Sequence, residues 1–124
     1  MFGCPAEVGG CFYCYKNELS VLFGSPAVVG GSFKCILNEL TNLNGCPISV
    51  GGNFNCSSNE LIDLNNLPRD VGGGFDCSDN KLTSLKGGPT SVGRGFNCGH
   101  NQLISLIGCP KRVSGSFYCD YNHH

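Results

Sequence analysis

Charge is scarce in this chain. Asp, Glu, Lys and Arg fill 14% of its 124 positions, where about a quarter is usual. Eight Lys+Arg against nine Asp+Glu leave a net charge of -1. That balance excludes a general nucleic-acid binder. There is no tryptophan and only one methionine. No apolar run approaches the ~20 residues of a membrane span, so a transmembrane helix is excluded and no membrane partner is expected. Met1-Phe2-Gly3-Cys4-Pro5 carries neither a basic stretch nor a long apolar one, so no signal peptide is expected. What is abundant is glycine (19) and cysteine (10), with six prolines and 40% hydrophobic residues. The cysteine content alone suggests a small secreted disulfide scaffold.

Internal repeats change that reading. Cys14, Cys35, Cys56, Cys77, Cys98 and Cys119 are each 21 residues apart. The same step joins Asn17, Asn38, Asn59, Asn80, Asn101 and Asn122. It joins Phe12 through Phe117, Val8 through Val113 and Pro5 through Pro110. Leu19 through Leu103 and Leu22 through Leu106 form two more columns. Six copies follow one another without insertion or deletion, and the motif reads G-x-P-x-x-V-G-G-x-F-x-C-x-x-N-x-L-x-x-L. The chain therefore reads as one repeat domain over residues 1–122, in coils of about 1–21, 22–42, 43–63, 64–84, 85–105 and 106–122. His123 and His124 read as a tag remnant.

Val8, Gly10, Phe12 and Cys14 alternate with period 2, which places them on one face of a strand. Asn17 then turns the chain, Leu19 and Leu22 return over the apolar side, and Gly-x-Pro makes the last corner. A coil of 21 residues rich in Gly, Pro and Asn has no room for a helix of normal length. Coils of strand, turn and extended return stack at ~4.8 Å, so six make a rod ~30 Å long. A lone coil cannot bury its Phe and Leu side, so stacking makes the core.

The F-x-C-x-x-N-x-L segment resembles the L-x-L-x-x-N-x-L segment of leucine-rich repeats. The whole unit looks like the short repeats of bacterial type III effector proteins, lengthened near Gly-Gly, and is similar to leucine-rich-like repeats of bacteriophage proteins. The resemblance covers the whole chain. It implies a right-handed, mainly β leucine-rich-repeat solenoid with a parallel sheet on one face and little or no helix. It also implies an asparagine ladder along the Asn17–Asn122 column. The chain departs from the family in placing Phe and Cys where Leu is usual. It shows no recognisable capping segment and no appended ubiquitin-ligase domain.

The cysteine column is read as reduced core packing, because a small thiol suits a tight inward slot. Stacked thiols lie alongside each other, with Cβ atoms too far apart for an unstrained disulfide. A straight column does not converge on zinc. Cys4, Cys46 and Cys109 share a corner slot without bonding partners, and Cys11 sits beside Ser32. Cys11-Phe12-Tyr13-Cys14 is formally C-x-x-C, but strand residues three apart face opposite sides. Unpaired thiols predict a cytoplasmic or otherwise reducing setting. Glu18, Glu39 and Glu60, continued by Lys81 and Gln102, read as a solvated edge rather than a calcium site. Asp79 beside His100 reads as surface decoration. Arg94 interrupts the Gly10, Gly31, Gly52, Gly73 column and predicts a distorted fifth rung.

No metal, cofactor or catalytic residue is expected, and an enzyme is not. On the outward strand face, Asn55, Ser57, Asp76, Ser78 and Asn97 are small and polar. Tyr13, Tyr15, Tyr118 and Tyr121 gather near the two ends and are the candidate interface residues. The first and last coils carry the same apolar motif as the middle. Such a rod is predisposed to stack head to tail, unless it is a segment of a longer array. The expected function is thus a non-enzymatic structural protein whose partner is itself. The alternative is a monomeric module gripping another protein with its strand face.

Overall fold

A computed structural model describes residues 7–13, 27–36, 39–120 and 122. The chain winds as a parallel β-solenoid with a 21-residue step between paired strands and, among the described residues, no helix. Each coil contributes two short strands. The first of each pair are β1 (Glu7–Val8), β3 (Val28–Val29), β5 (Ser49–Val50), β7 (Asp70–Val71), β9 (Ser91–Val92) and β11 (Arg112–Val113). The second are β2 (Phe12–Tyr13), β4 (Phe33–Lys34), β6 (Phe54–Asn55), β8 (Phe75–Asp76), β10 (Phe96–Asn97) and β12 (Phe117–Tyr118). The odd strands form one six-stranded parallel sheet and the even strands another.

Two sheets replace the single strand that the period-2 pattern predicts. Val50 and Phe54 both point inward, yet Gly51 and Gly52 bend the chain between them. The reason is a close approach of backbones. A Cβ on Gly51, Gly72 or Gly93 would lie 2.3, 2.1 or 2.0 Å from the carbonyl oxygen of the equivalent glycine one coil earlier. Only glycine allows that contact, and the tight corner it permits turns the strand direction.

The opposite corner obeys the same logic by torsion. Gly45, Asn66, Gly87 and Gly108 occupy one column with φ of 87°, 73°, 86° and 91°. This left-handed slot admits Gly and Asn readily. Cys46 N–H then donates to Leu43 C=O at 3.0 Å, closing the turn, and Cys109 repeats this with Leu106 at 3.1 Å. The prolines that follow, Pro47, Pro68, Pro89 and Pro110, are buried.

The core is a set of columns. Val29, Phe33, Leu40 and Leu43 are fully buried, as are Phe54, Leu61, Leu64, Leu82, Leu85 and Leu103. Consecutive Phe rings from Phe33 to Phe117 have centroids 5.2–5.4 Å apart. From Phe54 to Phe117 the rings stack, and Phe33 is tilted by 43° on Phe54, all within the range of favourable aromatic pairs.

Arg94 does not distort the fifth rung. Its N–H donates to Gly73 C=O at 3.1 Å, and Gly115 N–H donates to Arg94 C=O at 3.0 Å, so the ladder runs through it. One source of crowding that the equivalent glycines meet, a side chain from the coil before, is missing there. A Cβ on Gly73 would meet Asn53 Oδ1 at 2.2 Å, and one on Gly52 would meet Ser32 Oγ at 2.7 Å. The residue in the corresponding slot before Arg94 is Gly74, which has no side chain to obstruct it.

Candidate functional site

The inward ladders are structural in their geometry. Asn80 Nδ2 donates to the carbonyls of Cys56 (3.0 Å), Cys77 (3.1 Å) and Ser78 (3.0 Å), while its Oδ1 accepts from Leu61 N–H at 3.0 Å. Asn59, Asn101 and Asn122 repeat the pattern. Each amide thereby closes its own turn and ties it to the coil before. Its four bonds satisfy backbone groups that the tight turn leaves unpaired. Asn17 and Asn38 lie outside the described residues.

Cys35, Cys56, Cys77 and Cys98 are fully buried, Cys119 is half-buried, and all are free thiols. Cys77 Sγ donates to Asn97 C=O at 3.5 Å and Cys98 Sγ to Tyr118 C=O at 3.4 Å, one coil on. Burial raises the Cys56 and Cys77 thiols well above their ordinary range, and the neighbouring thiol of the column adds to it. Burial likewise pushes Cys98 and the corner residue Cys46 up to about 12. These are protonated, unreactive groups. Cys11 is the contrast: it is exposed, and its thiol is lowered by a hydrogen bond from Tyr13 and by Ser32 N–H, which donates to its Sγ at 3.3 Å. Cys14 lies outside the described residues. Among the described residues no group of three or more His, Cys, Asp or Glu is arranged to hold a metal ion. Glu60 pairs with Lys81 of the next coil at 3.1 Å, with both side chains about half exposed. That pair is worth little.

Two surfaces remain. The first is the axial face of the last coil. Phe117 is 36% exposed, whereas Phe96 one coil earlier is 1% exposed. Val113, Leu106 and Cys119 are only partly buried, against complete or near-complete burial of Val92, Leu85 and Cys98. The backbone ladder has a fixed polarity at this face. In the even sheet each N–H donates forward: Phe96 to Ser116 C=O at 2.8 Å and Cys98 to Tyr118 C=O at 2.8 Å. At the glycine bend each N–H donates backward: Gly93 to Val71 C=O at 3.0 Å and Ser114 to Val92 C=O at 3.2 Å.

The second surface is the outward side of the even sheet. Its central row runs Tyr13, Lys34, Asn55, Asp76, Asn97, Tyr118. Lys34 Nζ sits 5.0 Å from the Tyr13 ring centroid. Tyr13 and Tyr118 are 52% and 57% exposed. The tyrosines thus close the two ends of a polar row, and Tyr15 and Tyr121 lie outside the described residues. In the row, Asn55 Oδ1 accepts from Ser57 N–H (3.0 Å), Asp76 Oδ1 from Ser78 N–H (2.9 Å) and Asn97 Oδ1 from Gly99 N–H (3.0 Å). Pinning one oxygen two residues on holds each side chain in one orientation.

Beside this row runs a column that sequence reasoning missed: Cys11, Ser32, Asn53, Gly74, Gly95, Ser116. Its first members form a side-chain ladder. Ser32 N–H donates to Cys11 Sγ, Asn53 N–H to Ser32 Oγ at 2.9 Å, and Gly74 N–H to Asn53 Oδ1 at 2.7 Å. Gly74 ends the ladder, and Gly95 N–H has no hydrogen-bond partner among the described residues. The two missing side chains leave a groove of about 310 Å³ over Gly74 and Gly95, bordered by Asn53, Asn55, Asp76, Asn97, Lys34 and Tyr118. The signal was visible in the sequence as a break in a polar column, but only the ladder geometry makes it meaningful. No known family model, curated protein or solved structure matches the chain.

Proposed function

We propose that this is a non-enzymatic structural protein that assembles end to end, coil upon coil. The observation that carries the reading is the axial face of the last coil, where Phe117 stands 36% exposed on a column whose inner members, Phe33 to Phe96, are buried. The ladder polarity supplies a register. By continuation of the 21-residue step, Phe117 and Cys119 N–H would donate to Cys11 and Tyr13 C=O of a second copy. Gly9 N–H of that copy would donate to Val113 C=O. Such a contact is heterologous, joining unlike faces, and it propagates rather than closes. Covering the exposed third of Phe117 adds about 1–2 kcal/mol at ~25 cal/mol per Å², and the pairing of an open sheet edge adds to it. The buried, unpaired thiols support a reducing compartment for the assembled rod. Among the described residues no helix is long and apolar enough to cross a membrane.

The test is light scattering across a concentration series with Phe117→Arg alongside. The expected result is a mass that climbs with concentration for the natural chain and stays near 13.1 kDa for the variant, with unchanged far-UV circular dichroism. A natural chain that remains a monomer at every concentration overturns the proposal.

A further inference from the structure

We infer that the groove over Gly74 and Gly95 binds an uncharged saccharide. This inference stands apart from end-to-end assembly, because the groove opens on the side of the rod and not at its ends.

The side-chain ladder is interrupted at Gly74. In the coils before it, a side chain in this column accepts the N–H of the next coil: Cys11 for Ser32, Ser32 for Asn53 and Asn53 for Gly74. Gly74 has nothing to offer Gly95, although a Cβ there would lie only 3.7 Å from Gly95 N. The groove floor therefore carries an unpaired backbone donor aimed at the space where a side-chain oxygen would sit. A ligand oxygen fills that space and completes the ladder.

The walls define the rest of the ligand. Because Asn55 and Asn97 each use Oδ1 internally, their NH₂ groups are the ends left for a ligand. Asp76 uses only Oδ1, so its second oxygen is left to accept. Donors and an acceptor thus alternate as Asn55, Asp76 and Asn97 along the solenoid axis, about 4.8 Å apart. Hydroxyl groups, which both donate and accept, suit such a row. The exposed Tyr118 ring offers a flat apolar face with a polar tip at one end of the groove, fitting a ring that is apolar on its faces and polar on its rim. Lys34 and Asp76 bring one charge of each sign to the groove, which favours a neutral ligand. An extended peptide fits less well. It repeats same-side groups every ~6.6–6.8 Å, out of step with rungs every ~4.8 Å.

The test titrates the folded protein with cellohexaose, chitohexaose and maltohexaose, followed by calorimetry and by amide NMR shifts. Three variants go beside it. Gly74→Ser combined with Arg94→Gly rebuilds the Ser32–Gly52 arrangement already present two coils earlier, so the coil keeps its fold while the groove is filled. Arg94→Gly alone is the control, and Tyr118→Ala removes the ring. The expected result is saturable binding of at least one sugar with the Gly95 amide among the shifted signals. The double variant and Tyr118→Ala should each weaken it about tenfold or more, a loss of ~1.4 kcal/mol, with Arg94→Gly close to the natural chain. Absence of binding to all three sugars overturns the inference. So does a double variant that binds undiminished, or a groove that takes extended peptides and no sugar.

Discussion

Phe75 and Phe117 hold the same position in their coils, two residues before the column cysteine. One is 1% exposed and the other 36%. The same contrast runs through Cys77 and Cys119, and through Val71 and Val113. An inner coil has a coil stacked on each side, whereas β11 and β12 of the last coil are edge strands with a neighbour on one side only. In a solenoid, burial is a property of the neighbour, and stability is approximately a sum of intrinsic and nearest-neighbour contributions.

The strongest test of this comparison is truncation of the two rings. Phe75→Ala opens a cavity between two stacked phenylalanines and should cost about 3–5 kcal/mol. Phe117→Ala removes a ring with only one stacking partner and should cost about half as much, roughly 1.5–2.5 kcal/mol at low protein concentration. Urea unfolding of both variants reads the difference. Equal losses would mean that the coils do not stabilise one another pairwise. A loss at Phe117 that grows with protein concentration would sharpen the comparison, since a second copy would then supply the missing partner.

How far this arrangement was legible in the sequence depends on the column. The six-fold 21-residue period displays the solenoid directly, because in-register stacking requires identical slots at identical spacing. The inward Phe, Leu and Cys columns follow from their apolar character. The two-sheet coil was not legible from alternation, because Val8, Gly10, Phe12 and Cys14 satisfy period 2 whether or not the chain bends at Gly-Gly. The deciding fact is a backbone contact near 2 Å from any added Cβ, and sequence patterns carry no backbone distances. Arg94 misled for a related reason. The rung is kept by backbone hydrogen bonds from Arg94 to Gly73 and from Gly115 to Arg94, which a break in a glycine column does not display. The groove was hidden because it consists of side chains that are missing.

Glycine gives the next largest effect. Gly9 has nothing within 4 Å of an added Cβ, whereas on Gly72 that atom would lie 2.1 Å from Gly51 C=O. Gly72→Ala must therefore push two coils apart and should cost about 3 kcal/mol or somewhat less. Gly9→Ala should change stability by less than about 0.5 kcal/mol. Thermal melts of the two variants compare the first coil with an inner one. A disruptive Gly9→Ala, most of all at high concentration, would place another coil against the first.

The last contrast lies in the thiols, and its pH dependence has a sign that can be worked out. Cys56 and Cys77 are raised far above an ordinary thiol by burial. In the unfolded chain they ionise near pH ~8.5, so above that pH the unfolded state binds fewer protons than the native state. Stability attributable to these thiols is therefore complete below about pH 8 and declines as pH rises, by up to ~1.4 kcal/mol per pH unit for each. Melting temperature measured from pH 7 to pH 10 should fall accordingly, and Cys77→Val, which packs a similar volume without an ionisable group, should flatten the slope. Alkylation draws the same contrast at neutral pH. Exposed Cys109 and Cys11 should react with iodoacetamide in the native state, while Cys56 and Cys77 should react only on unfolding. Inner thiols that alkylate as fast as Cys109 would show coils opening independently of one another, and the distinction between inner and outer coils would then be kinetic rather than structural.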